Sequence, residues 1–237
     1  DPTPENALAL ELALASPATG RLAYLARPCQ FEALAAQGCE PAVWTSRRYG
    51  PANLSLMSKA LSELKREHEE LLLIGFSGGG VMAALLAATR DDVRGLITIA
   101  ANLDTRAWTQ HHRVSPLTGS LNPASFGRRL AAVPQVHLAG GADPVVAPGI
   151  LKAYLDAIGL PAAGHSLLRP TFDHSCCWVD DWETLEGTAM QRLQKQVRAG
   201  KAASRCHCDL HPWRASLCLP HVLIYSGLDG AVLVCSG

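Results

Sequence analysis

The sequence predicts an α/β fold, a mostly parallel sheet flanked by helices. Short apolar runs, ELLLIGF (70–76), VRGLITIAA (93–101) and PQVHLAG (134–140), alternate with Ala-rich or amphipathic stretches. Runs apolar at successive positions bury both faces, as strands of a parallel sheet covered on both sides must. The 237 residues, 48% hydrophobic and 18% charged, suit one large domain with a sizeable core.

Each element has a local cause. Thr3-Pro4-Glu5 is a helix start, with a capping hydroxyl, a proline in the first turn and an acid beside the helix dipole. The Ala/Leu-rich stretch continues it to about Ser16. RLAYLAR (21–27) reads as a strand, and Pro28 to Gly50 as a long loop. Leu54, Met57, Leu61 and Leu64 share one helical face. ELLLIGF is a buried strand, and Gly79 to Thr89 a helix. VRGLITIAA is the next strand. Residues 102–130, rich in Asn, Pro, Ser and Gly, form a loop with short helices. PQVHLAG is a strand that ends in Gly140-Gly141-Ala142-Asp143. Leu151, Tyr154, Leu155 and Ile158 mark a helix from about Val146 to Leu160. HSLLRPTF is a strand whose Pro170 sets its end or an edge position. Trp182, Leu185, Ala189, Leu193 and Val197 form the apolar face of a last helix, with Gly200 as its C-cap. The expected organisation is a core over 1–200 and a C-terminal tail over 201–237.

Charge and composition exclude several classes. Lys plus Arg (21) balance Asp plus Glu (21), and no basic run offers a footprint for nucleic acid or an anionic membrane. The uncharged run Leu71–Thr89 approaches the length of a membrane span. Three glycines and a serine in its middle argue against one. The sequence opens at Asp1 without methionine or an apolar leader, which reads as a fragment or a mature product. Eight cysteines favour an oxidising compartment, periplasmic or secreted, over the cytoplasm. Spacing alone does not fix their pairing.

The chemistry centres on Gly75-Phe76-Ser77-Gly78-Gly79. A G-x-S-x-G between a strand and a helix is the context of a nucleophile elbow. A serine hydroxyl becomes a nucleophile only when held beside a base. Two later strands end at a suitable partner: Asp143 follows PQVHLAG, and His174 follows SLLRPTF. Ser77 would attack an acyl carbonyl, His174 would carry the proton, Asp143 would orient the imidazole, and the Gly78 N–H would face the oxyanion. Each has a plainer alternative. Ser77 could sit in an ordinary turn, and Asp143 could be a helix cap, with Asp104 as the substitute acid. His165 precedes its strand, and His111 and His112 precede the acid. Trp178 and Trp182 read as core or cleft wall.

GFSGG, GGADPVV and FDHSCCW, in this order, resemble the α/β-hydrolase family over about residues 1–200. Arg27 to Phe31, Trp44-Thr45, AANLDTRAW, the histidine pair and SLNP are similar to a group of uncharacterised bacterial α/β-hydrolases, often exported. The resemblance implies a partial α/β-hydrolase fold and hydrolysis of a small-molecule ester, thioester or amide without cofactor or metal. It also implies strands ahead of the first helix and a loop there that gives a second oxyanion donor. This sequence starts at that helix. A third strand of the family, between those matching RLAYLAR and LLLIGF, is missing too. The chain must shift a strand to close that gap or leave two edges unpaired. The expectation is therefore an intact triad with impaired catalysis, since losing one oxyanion donor costs about 10²–10³ in rate.

Three other readings remain at this stage. Gly78, Gly80 and Ala83 match G-x-G-x-x-A after a strand, with Asp104 at the end of the next strand, as in a dinucleotide-binding Rossmann unit. Cys206, Cys208, His211, Cys218 and His221 are zinc-type ligands without a familiar spacing. A catalytically inactive hydrolase-fold protein is the third. HVLIYSGLDGAVLV (221–234) reads as a hairpin turning at Asp229-Gly230, able to cover a sheet edge.

Overall fold

The computed structural model describes residues 7–18, 21–31, 39–205 and 221–226, with the backbone alone for 201–205 and 221–226. In chain order the helices are α1 (Leu8–Leu14), α2 (Pro41–Trp44), α3 (Pro51–Leu64), α4 (Ser77–Thr89), α5 (Thr105–His112), α6 (Gly127–Ala131), α7 (Pro148–Ile158), α8 (Ala162–His165) and α9 (Trp182–Arg205). The strands are β1 (Leu22–Tyr24), β2 (Glu70–Phe76), β3 (Val93–Ile99), β4 (Gln135–Gly140), β5 (Ser166–Arg169) and β6 (His221–Ser226). They form one sheet in the order β1-β6-β2-β3-β4-β5, and every described pair is parallel.

Two apolar layers cover the sheet. On one face α3, α4 and α7 bury Leu54, Met57, Leu61, Leu86 and Leu155 against Leu71, Leu73 and Leu96. On the other, α1 and α9 bury Leu8, Leu12, Trp182, Leu185 and Leu193 against Leu72, Ile74, Ile97 and Leu138. The alternation of Leu71 and Leu73 with Leu72 and Ile74 is the two-residue strand period, with both faces apolar. Helix α4 is buried from Ser77 to Ala88, so it needs no polar face, and its Ala and Gly residues allow close approach to the sheet. Helix α3 buries Leu54, Met57 and Leu61 and leaves Leu64 at 37% exposure. At about 1.5–3 kcal/mol for each buried side chain, packing outweighs the few tenths that propensity supplies.

The strand gap expected between RLAYLAR and LLLIGF is closed by part of the run that reads as able to cover a sheet edge. No strand shifts. Instead β6, from the segment expected to be a tail, lies between β1 and β2. Leu22 pairs with Leu223 on one side, and Glu70 to Gly75 pair with His221 to Ser226 on the other. Helices α1 and α4 lie against it from opposite faces. The second half of the expected hairpin, including Asp229-Gly230, lies outside the described residues, as do Thr3-Pro4-Glu5, Cys206, Cys208, His211 and Cys218. Helix α9 also runs through Gly200 to Arg205, because good helix formers follow the glycine and offset its cost of about 1 kcal/mol. Strand β5 lies at one edge of the described sheet, with β1 at the other, and stops before Pro170.

Cys29 bonds Cys39 across the loop after β1, and Cys176 bonds Cys177. A buried polar network ties β3, β4 and α7 together. The Thr98 hydroxyl donates to His137 Nδ1 at 2.8 Å, and His137 Nε2 donates to Gln135 Oε1 at 2.9 Å. Tyr154 donates to the same oxygen at 2.7 Å, and the Gln135 amide donates to the Val133 carbonyl at 3.0 Å. With Gln135 Oε1 accepting from Nε2 and the Thr98 hydroxyl donating to Nδ1, the imidazole is neutral with its proton on Nε2. Burial holds the pKa of His137 down to about 3 and raises that of Tyr154. No described helix is long and apolar enough to cross a membrane.

Candidate active site

The site forms where β2, β4 and β5 end. Strand β2 hands over to α4 in a single step. Phe76 is extended, and Ser77, the first residue of α4, has φ of +49°. A non-glycine residue there is strained and persists only where its surroundings fix it. The flanking glycines allow the turn. A Cβ on Gly75 would lie 2.5 Å from Gly80 Cα, and one on Gly80 would lie 2.5 Å from Ala101 Cβ. The turn is therefore packed backbone to backbone beneath the serine.

The glycine pair after β4 works in the same way. A Cβ on Gly140 would meet the Phe172 carbonyl at 2.5 Å, and one on Gly141 the Pro170 carbonyl at 2.5 Å. The Gly141 N–H donates to the Arg169 carbonyl at 2.8 Å and the Ala142 N–H to the Phe172 carbonyl at 3.0 Å. These contacts bring the loop after β4 against the loop after β5, and so Asp143 against His174. Trp178, fully buried, anchors the second loop. It packs edge-on against Phe172 and donates its indole N–H to the Asp173 carbonyl at 3.1 Å. The Asp173 carboxylate accepts from Cys176 N–H at 2.7 Å and Ser175 N–H at 2.8 Å, and these bonds hold its pKa below the usual carboxylate value.

Ser77, His174 and Asp143 form one hydrogen-bonded line. The Ser77 hydroxyl donates to His174 Nε2 at 3.0 Å, and His174 Nδ1 donates to Asp143 Oδ2 at 2.8 Å. The other carboxylate oxygen of Asp143 accepts from the N–H groups of Val145 at 2.7 Å and Val146 at 2.8 Å. An ionised carboxylate only accepts, which puts the imidazole proton on Nδ1 and leaves Nε2 free to receive the serine proton. The Asp143 side chain is fully buried and that of His174 is 16% exposed, so the line runs from a dry interior to a partly wet ring. Phe76 flanks the imidazole at 5.1 Å between ring centroids. Gly78 follows Ser77 in the first turn of α4, where backbone N–H groups have no partner within the helix.

The competing residues take other positions. Asp104 caps α5, its Oδ1 accepting from Arg106 N–H at 3.0 Å, Ala107 N–H at 3.1 Å and the Asn122 amide at 3.0 Å. Gly80, a member of the dinucleotide pattern, turns its open side to Ala101 and the Gly75 carbonyl rather than to a cleft. His165 lies on α8, ahead of β5, with Nδ1 at 3.0 Å from the Pro161 carbonyl. His111 and His112 end α5 and are not bonded to Ser77 or Asp143. Trp182, like Trp178, is core. Among the described residues no group of three His, Cys, Asp or Glu side chains is arranged to hold a metal.

No family model matches the chain, and no curated protein matches it. Among solved structures, it is similar to α/β-hydrolases. The esterase domain of a Rhodothermus marinus protein is 17% identical, with a TM-score of 0.48, over 77% of this chain and 78% of that one. A puromycin hydrolase is 22% identical, with a TM-score of 0.44, over 56% of this chain and 23% of its own. An α/β-hydrolase from a lagoon-sediment metagenome, Mar Chica in Morocco, is 17% identical, with a TM-score of 0.43, over 60% and 70%. The chain thus spans less than a quarter of the puromycin hydrolase it matches.

Proposed function

We propose that this chain is a serine hydrolase of carboxylic ester type that works through an acyl-enzyme. The observation that carries the reading is the unbroken line from Ser77 to His174 to Asp143, with each residue at the end of a different strand. As an ester or thioester carbonyl approaches, His174 Nε2 takes the hydroxyl proton and Ser77 Oγ bonds to the carbonyl carbon. The carbonyl oxygen becomes an oxyanion, which the Gly78 N–H faces with the positive end of α4 behind it. The buried Asp143 stabilises the imidazolium formed in that step. His174 then returns the proton to the leaving oxygen or sulfur. A water repeats the sequence on the acyl-serine and frees the acid. Esters and thioesters suit the site because their leaving groups need less protonation than an amide nitrogen.

A fluorophosphonate probe reads the nucleophile directly. The wild-type protein should be labelled, Ser77→Ala not at all, and His174→Ala far more slowly. Labelling that survives in Ser77→Ala, or none in the wild type, overturns the proposal.

A further inference from the structure

Asp143 must keep one oxygen aimed at His174 while it sits on a loop between β4 and α7. Its second oxygen is tied to the Val145 and Val146 N–H groups. That tie fixes the carboxylate only as well as Val145 itself is fixed. The Val145 carbonyl accepts two hydrogen bonds, one from Trp108 Nε1 at 2.8 Å and one from His112 Nε2 at 2.7 Å. Both donors come from α5. They are four residues apart, and so on one face of the helix, with ring centroids 4.8 Å apart. The His111 ring meets that of His112 edge-on at 5.0 Å. Helix α5 is held at its other end by the Asp104 cap, which Asn122 joins to the following loop.

Taking Asp143 as the orienting acid of the triad, we propose that Trp108 and His112 are positioning residues, a two-donor clamp on the Val145 carbonyl that sets the aim of Asp143. An indole N–H only donates, and a carbonyl only accepts, so the Trp108 bond has one polarity. For the same reason His112 must carry its proton on Nε2. The two bonds use both lone pairs of the carbonyl and hold Val145 from one side, while Asp143 holds its N–H from the other. With the clamp gone, Asp143 still reaches Val145 and Val146, but the loop is free to tilt. A tilt of a few tenths of an ångström misaligns the imidazole without emptying the substrate site. The signature is a loss in kcat with KM unchanged.

The test measures ester turnover, fluorophosphonate labelling rate and thermal melting for Trp108→Phe, His112→Leu and His112→Gln, with Trp108→Phe also made in an Asp143→Ala background. Trp108→Phe keeps the ring and loses the donor; His112→Gln keeps a donor. We expect Trp108→Phe and His112→Leu each to lower kcat about tenfold with KM within about twofold, as small misplacements of catalytic groups do. His112→Gln should recover most of that loss. In the Asp143→Ala background, Trp108→Phe should change nothing more, because it acts through Asp143. An unaltered kcat in the single variants, or the full tenfold loss without Asp143, overturns the clamp and leaves the triad standing. A wild-type protein that is not labelled at Ser77 overturns the triad reading and the clamp with it.

Discussion

Replacing His137 with glutamine takes a titrating ring out of the buried network under the sheet and leaves a side chain that can still donate and accept. The wild-type imidazole is 1% exposed and is held neutral, its pKa lowered by burial from 6.5 to about 3. In the unfolded chain it binds a proton below about pH 6.5. Between those values the unfolded state carries a proton that the native state refuses, so stability falls as pH falls and is level above the window. At about pH 5 the ring has cost roughly 2 kcal/mol relative to neutral pH, at about 1.4 kcal/mol per unit. Urea unfolding, followed by tryptophan fluorescence at about pH 7.5 and about pH 5, measures the loss in both proteins. Carboxylates contribute alike to each, so the difference between the two losses isolates His137. The wild type should lose about 2 kcal/mol more than His137→Gln. Equal losses would refute the assignment of a neutral, proton-refusing His137.

Three further outcomes follow from the geometry. Gly75→Ala drives a Cβ to 2.5 Å from Gly80 Cα, a backbone clash without a flexible partner, and should lower stability by about 3 kcal/mol or prevent folding, read as Tm or soluble yield. Asp104→Ala removes the cap of α5 and should cost about 1 kcal/mol in Tm-derived stability, with Ser77 still labelled but more slowly because α5 carries Trp108 and His112; an unchanged Tm would mean that the cap adds nothing to the helix. A chain stopped after Arg205 loses β6, leaves the facing edges of β1 and β2 unpaired, and should show a lower Tm and aggregate on warming; an unchanged melting profile would mean that β6 adds nothing to the sheet.

Much of this architecture is written locally. ELLLIGF is β2 to the residue, because the apolar run Leu71 to Phe76, too short for a helix between Glu70 and the glycine-rich turn at Ser77, buries both of its faces as a central strand. The order Ser77, Asp143, His174 was legible because glycines mark the ends of β2 and β4 and Pro170 that of β5, and Gly75, Gly140 and Gly141 prove to be where backbone approaches backbone. Other parts depend on distant partners that leave no local mark. A parallel strand such as β6 shows its apolar residues but not its neighbours, which lie at the other end of the chain. The bonds from Trp108 and His112 end on a main-chain carbonyl, and no side-chain pattern encodes that acceptor. Gln135 and His137 are two polar residues in an otherwise apolar run, and nothing local shows that Thr98 of β3 bonds the imidazole or that Tyr154 of α7 shares its acceptor, Gln135 Oε1.

The position of β6 sets an order of assembly. Strands β2, β3, β4 and β5 are neighbours both in sequence and in the sheet, so each can pair as soon as the next one is made. Strand β1 is synthesised before all of them, yet its sheet partner among the described strands is made last. The seam between β1 and β2 thus closes late and across a long loop, the slow kind of contact in folding. Until then the β2 edge beside the Ser77 turn stands open to other chains. In hydrogen exchange, β1 and β6 amides should open as one unit, ahead of β2 to β4, while the half of the sheet that bears Asp143 and His174 stays closed.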